Sequence, residues 1–142
     1  GGTGEREDWT NYLITLPSCE LSQTSFIVGG PPNTYKTSLG RAKMVGEIPY
    51  SRFKHYCCRS KVNLNITRRH HAQVYASSTA RLFELAAMSC CIVSNEAIEL
   101  YKWLIASPKA RENIGENARS RVMRDHTYKA RARDLLRFIT QT

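Results

Sequence analysis

Nothing in this sequence is apolar for long enough to span a bilayer, which takes about 20 consecutive apolar residues. There is no Cys-x-x-Cys pair, no low-complexity tract and no internal repeat, which argues against zinc ribbons, disordered linkers and solenoid arrays. No Ser-His-Asp or Cys-His arrangement with supporting context is present. Asn65-Ile66-Thr67 matches a glycosylation sequon, but nothing resembling a secretory leader precedes it. Acidic residues are scarce as well: 12 stand against 21 Lys and Arg, for a net charge of +9. Such a surplus fits an anionic partner (nucleic acid, a membrane surface, a phosphorylated small molecule) and equally a solvated basic face. The expectation from these absences is a soluble, cytoplasmic protein.

What is present is the makeup of a folded domain. The 142 residues are 42% apolar and 23% charged, enough for one domain with one core. The five cysteines are Cys19 and the adjacent pairs Cys57-Cys58 and Cys90-Cys91. An odd count, with both pairs in apolar runs, suggests buried reduced thiols rather than a disulfide or zinc framework.

Trp9, Tyr12, Leu13 and Leu16 recur at the spacing of one helical face, which Pro17 is expected to end. Ser25-Phe26-Ile27-Val28 reads as a strand ended by the loop Gly29-Gly30-Pro31-Pro32, and Lys43-Met44-Val45 as a weaker strand. Pro49 and Ser51 start a short helix whose inner face is Phe53, Tyr56 and Cys57; Val62 to Ile66 alternates as a half-covered strand does. Thr79 to Met88 reads as a mostly buried helix and Cys91 to Ser94 as a buried strand. From Glu96 the chain is all helix: one to Ala106 exposing Glu96, Glu99 and Lys102, then one begun by Ser107-Pro108 with Ala110, Ile114, Ala118 and Val122 on one face. Thr127 caps a last helix lined by Tyr128, Ala132, Leu135, Leu136 and Ile139. Strands alternating with helices predict an α/β fold, a parallel sheet flanked by helices and closed by an all-helical segment.

In such sheets ligands sit beyond the carboxyl ends of the strands, where loops enter helix N-termini. One candidate loop runs from Thr67-Arg68-Arg69-His70-His71 to Ser78-Thr79-Ala80-Arg81-Leu82-Phe83-Glu84. Free backbone N–H groups at a helix start attract phosphate. Ser78 and Thr79 add hydroxyl donors and Arg81 a cation, while Glu84 could accept bonds from ribose hydroxyls. The alternative is that Ser78 or Thr79 merely caps the helix and Arg81 pairs with Glu84 one turn on. A second, weaker candidate is Gly1-Gly2-Thr3-Gly4-Glu5-Arg6, where glycines permit close approach of a phosphate and a simple turn would have the same letters. His70 and His71 are adjacent with no acid nearby, which suits binding or positioning better than metal ligation.

The run Arg81-Leu82-Phe83-Glu84-Leu85-Ala86-Ala87 resembles the R-x-F-E-x-x-A core of group 1 glycosyltransferases in their spore-protein-like branch. Ile92-Val93-Ser94-Asn95, the preceding Val62-Asn63-Leu64-Asn65-Ile66 and the closing His126-Thr127-Tyr128-Lys129-Ala130-Arg131 are similar to the family's following strand, its V-x-L-N-I strand and its His-Thr-Tyr-x-x-Arg signature. The likeness runs from about Arg6 to Ile139. It implies the C-terminal, donor-binding half of a GT-B glycosyltransferase with a Rossmann-like sheet across residues 1–142, facing an N-terminal acceptor domain absent from this chain. The expected partner is a nucleoside-diphosphate sugar, and the expected chemistry is retaining and metal-independent, with no cofactor. By the same resemblance Glu84 holds the ribose hydroxyls, Ser78, Thr79 and Arg81 cradle the diphosphate, and Arg6 falls near a phosphate-binding cation. Arg68 and His71, on the same loop, complete the candidate donor-binding set.

The chain departs from the family in three places. Ala76 stands where a second glutamate is usual, Ser89 where a glycine is usual, and Asn95 runs directly into Glu96 where the family has some twenty residues of loop, helix and strand, a gap that the well-matched flanks attribute to an omitted segment rather than to a loss. Ala76 and the short junction support an alternative, a non-catalytic spore or envelope protein derived from the same fold. Nucleic-acid binding rests on the charge and on Arg68 to His71, and it lacks a helix-turn-helix, zinc or ribonucleoprotein pattern.

Overall fold

The computed structural model describes residues 8–31, 34–66, 80–94 and 98–140. Residues 8–10 are helical and continue through a π-helical segment, Asn11–Thr15, into α1, Leu16–Glu20. Then follow β1 (Ile27–Val28), β2 (Lys43–Met44), α2 (Tyr50–Arg59), β3 (Asn63–Leu64), α3 (Ala80–Ala87), β4 (Ile92–Val93), α4 (Ile98–Ala106), α5 (Pro108–Asp125) and α6 (Tyr128–Thr140). The protein is α/β and mostly helical.

Pro17 does not end the first helix; it lies buried within it. A proline in a helix interior clashes with the carbonyl four residues back and brings it no N–H. Here the wider π turn comes first, so Pro17 falls in the opening turn of α1, where a missing N–H costs little. The carbonyl four back is that of Leu13, and the buried Tyr101 hydroxyl donates to it at 3.3 Å from α4.

β1 pairs with β2 in parallel, Ile27 opposite Lys43, and β3 with β4, Asn63 opposite Ile92. Among the described residues these are two separate parallel pairs rather than one continuous sheet. They are joined by packing: Leu64 lies against both the Leu13–Ile14–Val28 cluster and the Cys91–Val93–Tyr101–Leu104 cluster. A third cluster, Cys57, Leu85 and Cys90, joins α2 to α3 and to the turn after it.

That turn is built on backbone geometry. Ser89 has φ 57, its N–H donates to the carbonyl of Ala86, and the N–H of Cys90 donates to that of Leu85. This is a Schellman ending, whose left-handed position favours glycine. Ser89 therefore bears strain at a position that glycine occupies at no steric cost. α5 lies directly on the turn: a Cβ on Gly115 would stand 2.0 Å from the carbonyl oxygen of Ser89.

Two expectations are corrected. The cysteine pairs are not uniformly buried: Cys57, Cys90 and Cys91 are, while Cys58 and Cys19 are exposed and all five are free thiols. Neighbours on a helix point about 100° apart, so only one of Cys57 and Cys58 can face the core. Cys90 and Cys91 enter a strand covered on both sides and join different clusters. The apolar side of α6 lines no core: Tyr128, Leu135, Leu136 and Ile139 are exposed, Ala132 is too, and only Ala130 is buried. Thr127 caps α6 as expected, its Oγ1 accepting from the Ala130 N–H at 3.1 Å. Ser107 occupies the N-cap of α5, though its side chain makes no capping bond.

Two outcomes follow for stability. Gly115→Ala is expected to cost about 1–3 kcal/mol by forcing α5 off the turn, and Ser89→Gly to gain about 0.5–1 kcal/mol by relieving the left-handed strain; urea unfolding measures both. Burial, reinforced by the neighbouring thiols, pushes Cys90 from its ordinary 9.0 up to about 12, and burial likewise raises Tyr101. Above pH 9 the unfolded chain releases protons that the folded chain keeps, so stability holds below that pH and falls between pH 9 and 12. Tyr101→Phe is expected to lose about 1 kcal/mol at pH 7 with its hydrogen bond, yet to show a shallower decline above pH 10 in melting curves.

Candidate functional site

The two strand pairs leave a cleft of about 850 Å³ between them. One wall is the residues around β1, from Gln23 to the Gly29-Gly30 loop at its carboxyl end, and the opposite wall is Lys61 to Leu64 with Ile66. α2 contributes Phe53, Tyr56 and Cys57; α3 contributes Arg81 and Leu85; Tyr101 and Ile105 of α4 complete it. Its charged lining is Arg59, Lys61 and Arg81 against Glu47, a surplus of positive charge. The cleft is apolar at the strands and polar at its rim, as small-molecule sites commonly are.

Arg81 is the charged side chain whose geometry is most defined. Its Cζ lies 3.9 Å from the centroid of the Phe53 ring, a cation–π contact. Its Nη1 lies 3.1 Å from Oε2 of Glu84, and the two side chains are 50% and 37% exposed. Within the structure, then, the i, i+3 ion pair weighed against ligand binding is formed. Arg81 lines the cleft; Glu84 stands beside it at the rim and is not among the lining side chains. The same guanidinium opposes the rise that burial imposes on the Cys57 thiol. Ser78, Thr79, Arg6, Arg68 and His71 lie outside the described residues, so of the expected site the structure places Arg81 and Glu84 together.

Phe53 falls on an inner helical face by its spacing, and it is also the plate beneath Arg81. That contact joins α2 to α3 across intervening strand and loop, and no local spacing encodes it. A second long-range contact joins the two most distinctive motifs: Phe83 of the Arg81–Ala87 run meets the His126 ring, centroids 5.1 Å apart. Arg131 Nη2 lies 3.4 Å from His126 Nδ1, and Arg119 donates to the carbonyl of Ala87. Of the His-Thr-Tyr-x-x-Arg residues, His126 meets α3, Arg131 meets His126, and Thr127 caps α6. Among the described residues no group of three or more His, Cys, Asp or Glu could hold a metal ion. No helix there is long and apolar enough to cross a membrane.

The cleft runs along β1 and β3 of an α/β protein, with the positive charge of Arg59, Lys61 and Arg81 in its lining. The family model for glycosyl transferase-like proteins matches residues 13–106 and 94–137, and the chain belongs to that family. No curated protein and no solved structure gives a significant match.

The cation–π contact is measurable by itself. A double-mutant cycle between Phe53→Leu and Arg81→Met is expected to return a coupling of about 0.5–1 kcal/mol in chemical unfolding. A coupling of zero would mean that Arg81 is not held on the ring in solution.

Proposed function

We propose that this chain is the donor-binding domain of a glycosyltransferase, taking a nucleoside-diphosphate sugar and transferring its sugar to an acceptor held by an N-terminal domain. Within the family the motifs favour the C-terminal half of a GT-B enzyme of group 1, in the spore-protein-like branch, with a Rossmann-like sheet. The observation that carries this reading is Arg81 in the lining of the cleft, held by Phe53 and Glu84.

The chemistry asks little more of the donor side. As the bond between sugar and diphosphate breaks, negative charge grows on the leaving phosphate oxygens, and fixed donors and cations stabilise it. Arg81 supplies a cation there, with Ser78, Thr79 and the backbone before Ala80 as neutral donors, and Arg6, Arg68 and His71 as further candidates. Glu84 uses Oε2 on Arg81; its second oxygen can accept from a ribose hydroxyl, so one carboxylate sets the guanidinium and reads the nucleoside. This arrangement needs no metal, and the proposed reaction is metal-independent and retains anomeric configuration. The exposed apolar side of α6 suits cover by the N-terminal domain.

A second reading has one observation in its favour. The family matches the chain in two stretches, 13–106 and 94–137, that overlap across the Asn95–Glu96 junction. With Ala76 in place of an acid, that supports a binding or structural protein of the same descent that has lost transfer activity. Both readings keep a donor-shaped site, and only the first requires turnover.

Uridine or guanosine diphosphate is expected to raise the melting temperature of the chain. At about 100 times the dissociation constant the gain corresponds to about 2.7 kcal/mol. Glu84→Ala should abolish that gain, and Arg81→Ala should cut it sharply, by isothermal titration as well as by melting. If no nucleoside diphosphate shifts the transition, the donor site is misassigned.

A further inference from the structure

The cleft takes up only part of the net charge of +9, and α6 brings four cations, Lys129, Arg131, Arg133 and Arg137, against one acid, Asp134. From Arg131 to Thr140 every residue of this helix is exposed, so it stands off the domain over most of its length. The residue it buries is Ala130, in the first turn. At about 100° per residue, Tyr128, Ala132 and Leu135 lie about 140–160° round the helix from Ala130. The apolar side therefore points away from the domain, with Leu135 60%, Leu136 62% and Tyr128 98% exposed. Lys129 and Arg131 fall on the two flanks of that side, and Arg133 and Arg137 lie further round.

Possible occupants differ in which of these features they use. Nucleic acid would take the cations to its phosphates and leave Leu135 and Leu136 in water. A second copy would match apolar side to apolar side, yet bring two net-positive helices together. An N-terminal domain laid here would account for the apolar residues and leave the cations beside them unexplained. An anionic lipid surface uses both: its headgroup boundary receives the apolar side chains while its phosphates draw in the flanking cations.

We propose that α6 is a membrane-surface anchor, lying along the plane of a bilayer rich in anionic headgroups with Tyr128, Leu135 and Leu136 turned into it. Its 13 residues are too few to cross a bilayer, which takes about 20, so the helix rests on the surface. Long Lys and Arg side chains reach from the flanks to the phosphates while their stems stay on the apolar boundary. The inference goes beyond the sugar-donor assignment and does not rest on it.

The test is co-sedimentation of the chain with vesicles of phosphatidylcholine alone and of phosphatidylcholine mixed with phosphatidylglycerol. Binding is expected to the mixed vesicles and not to the neutral ones, and to weaken as salt is raised. Leu135→Ser and Leu136→Ser are each expected to weaken it about tenfold, and Arg133→Gln and Arg137→Gln about fivefold each. All four side chains are exposed, so melting temperatures should stay at the wild-type value and separate lost binding from lost folding. Equal binding to neutral vesicles would overturn the proposal. So would binding that the Gln variants weaken and the Ser variants do not, which is adsorption by charge alone. A chain dimer that Leu135→Ser dissociates would assign the apolar side to a second copy instead. Vesicle binding that disappears in the protein carrying its N-terminal domain would assign that side to the domain, and equally sinks the anchor.

Discussion

The position of α3, and with it Arg81 and Glu84, depends on one backbone contact: the bare Cα of Gly115 lying against the carbonyl of Ser89. No side chain fits between these surfaces, so α5 approaches as closely as backbone allows and fixes where α3 ends. The left-handed turn at Ser89 then directs the chain back into β4, and the Cys90 N–H closes on the Leu85 carbonyl. His126 against Phe83 and Arg119 on the Ala87 carbonyl hold the same helix further along. Each of these contacts is made from α5 or the residues after it. The all-helical end of the chain thus acts as the jig that aims the helix carrying Arg81 toward the cleft.

A comparable economy operates at the other end. The Leu13 carbonyl, which Pro17 cannot serve, meets the Tyr101 hydroxyl, so an irregular π turn whose Leu13 and Ile14 lie in the core is also tied to α4 by a buried bond. The same tyrosine lines the cleft and packs beside Val93. A helix entry, a buried strand and the floor of the cleft are therefore one mechanical unit. The Tyr101 phenol therefore bears on the shape of the cleft.

Local pattern carried most of the elements into view. Alternation from Val62 to Ile66 marked β3, the apolar face Phe53–Tyr56–Cys57 marked α2, and Ala110 to Val122 marked the inner side of α5. Pro17 was misread because a proline's effect depends on the hydrogen-bond register before it, and a π turn leaves no signature in residue type. The face of α6 was misread because amphipathic spacing reveals that a side is apolar and says nothing of what covers it. Of the site, Arg81 and Glu84 were legible as a motif, and so was their alternative as an ion pair. Phe53 beneath Arg81 was not legible, because it joins residues far apart in the chain. Ser89 stands between these cases: its departure from the family's glycine was visible in the sequence, and its physical meaning emerged only with the φ angle.

The energetics of Arg81 show that a satisfied ion pair is compatible with the proposed donor site. A pair this exposed contributes about 0–1 kcal/mol once solvent and salt screen it, and the ring adds about 0.5–1 kcal/mol. A cation so early in α3 also works against the helix dipole by about 0.3–1 kcal/mol. The net hold is small, yet the two contacts restrict the guanidinium to one side of Phe53, facing the cleft. A diphosphate carries more charge than the carboxylate it would share Arg81 with, and its presence turns the dipole penalty into a gain. Glu84 need not let go: it has a second oxygen, and an anion on the far side of the guanidinium leaves the first bond intact. Weak holding with defined direction is what a phosphate-binding arginine requires, since strong pairing would have to be broken at each binding event and no pairing would leave its orientation to be fixed by the ligand.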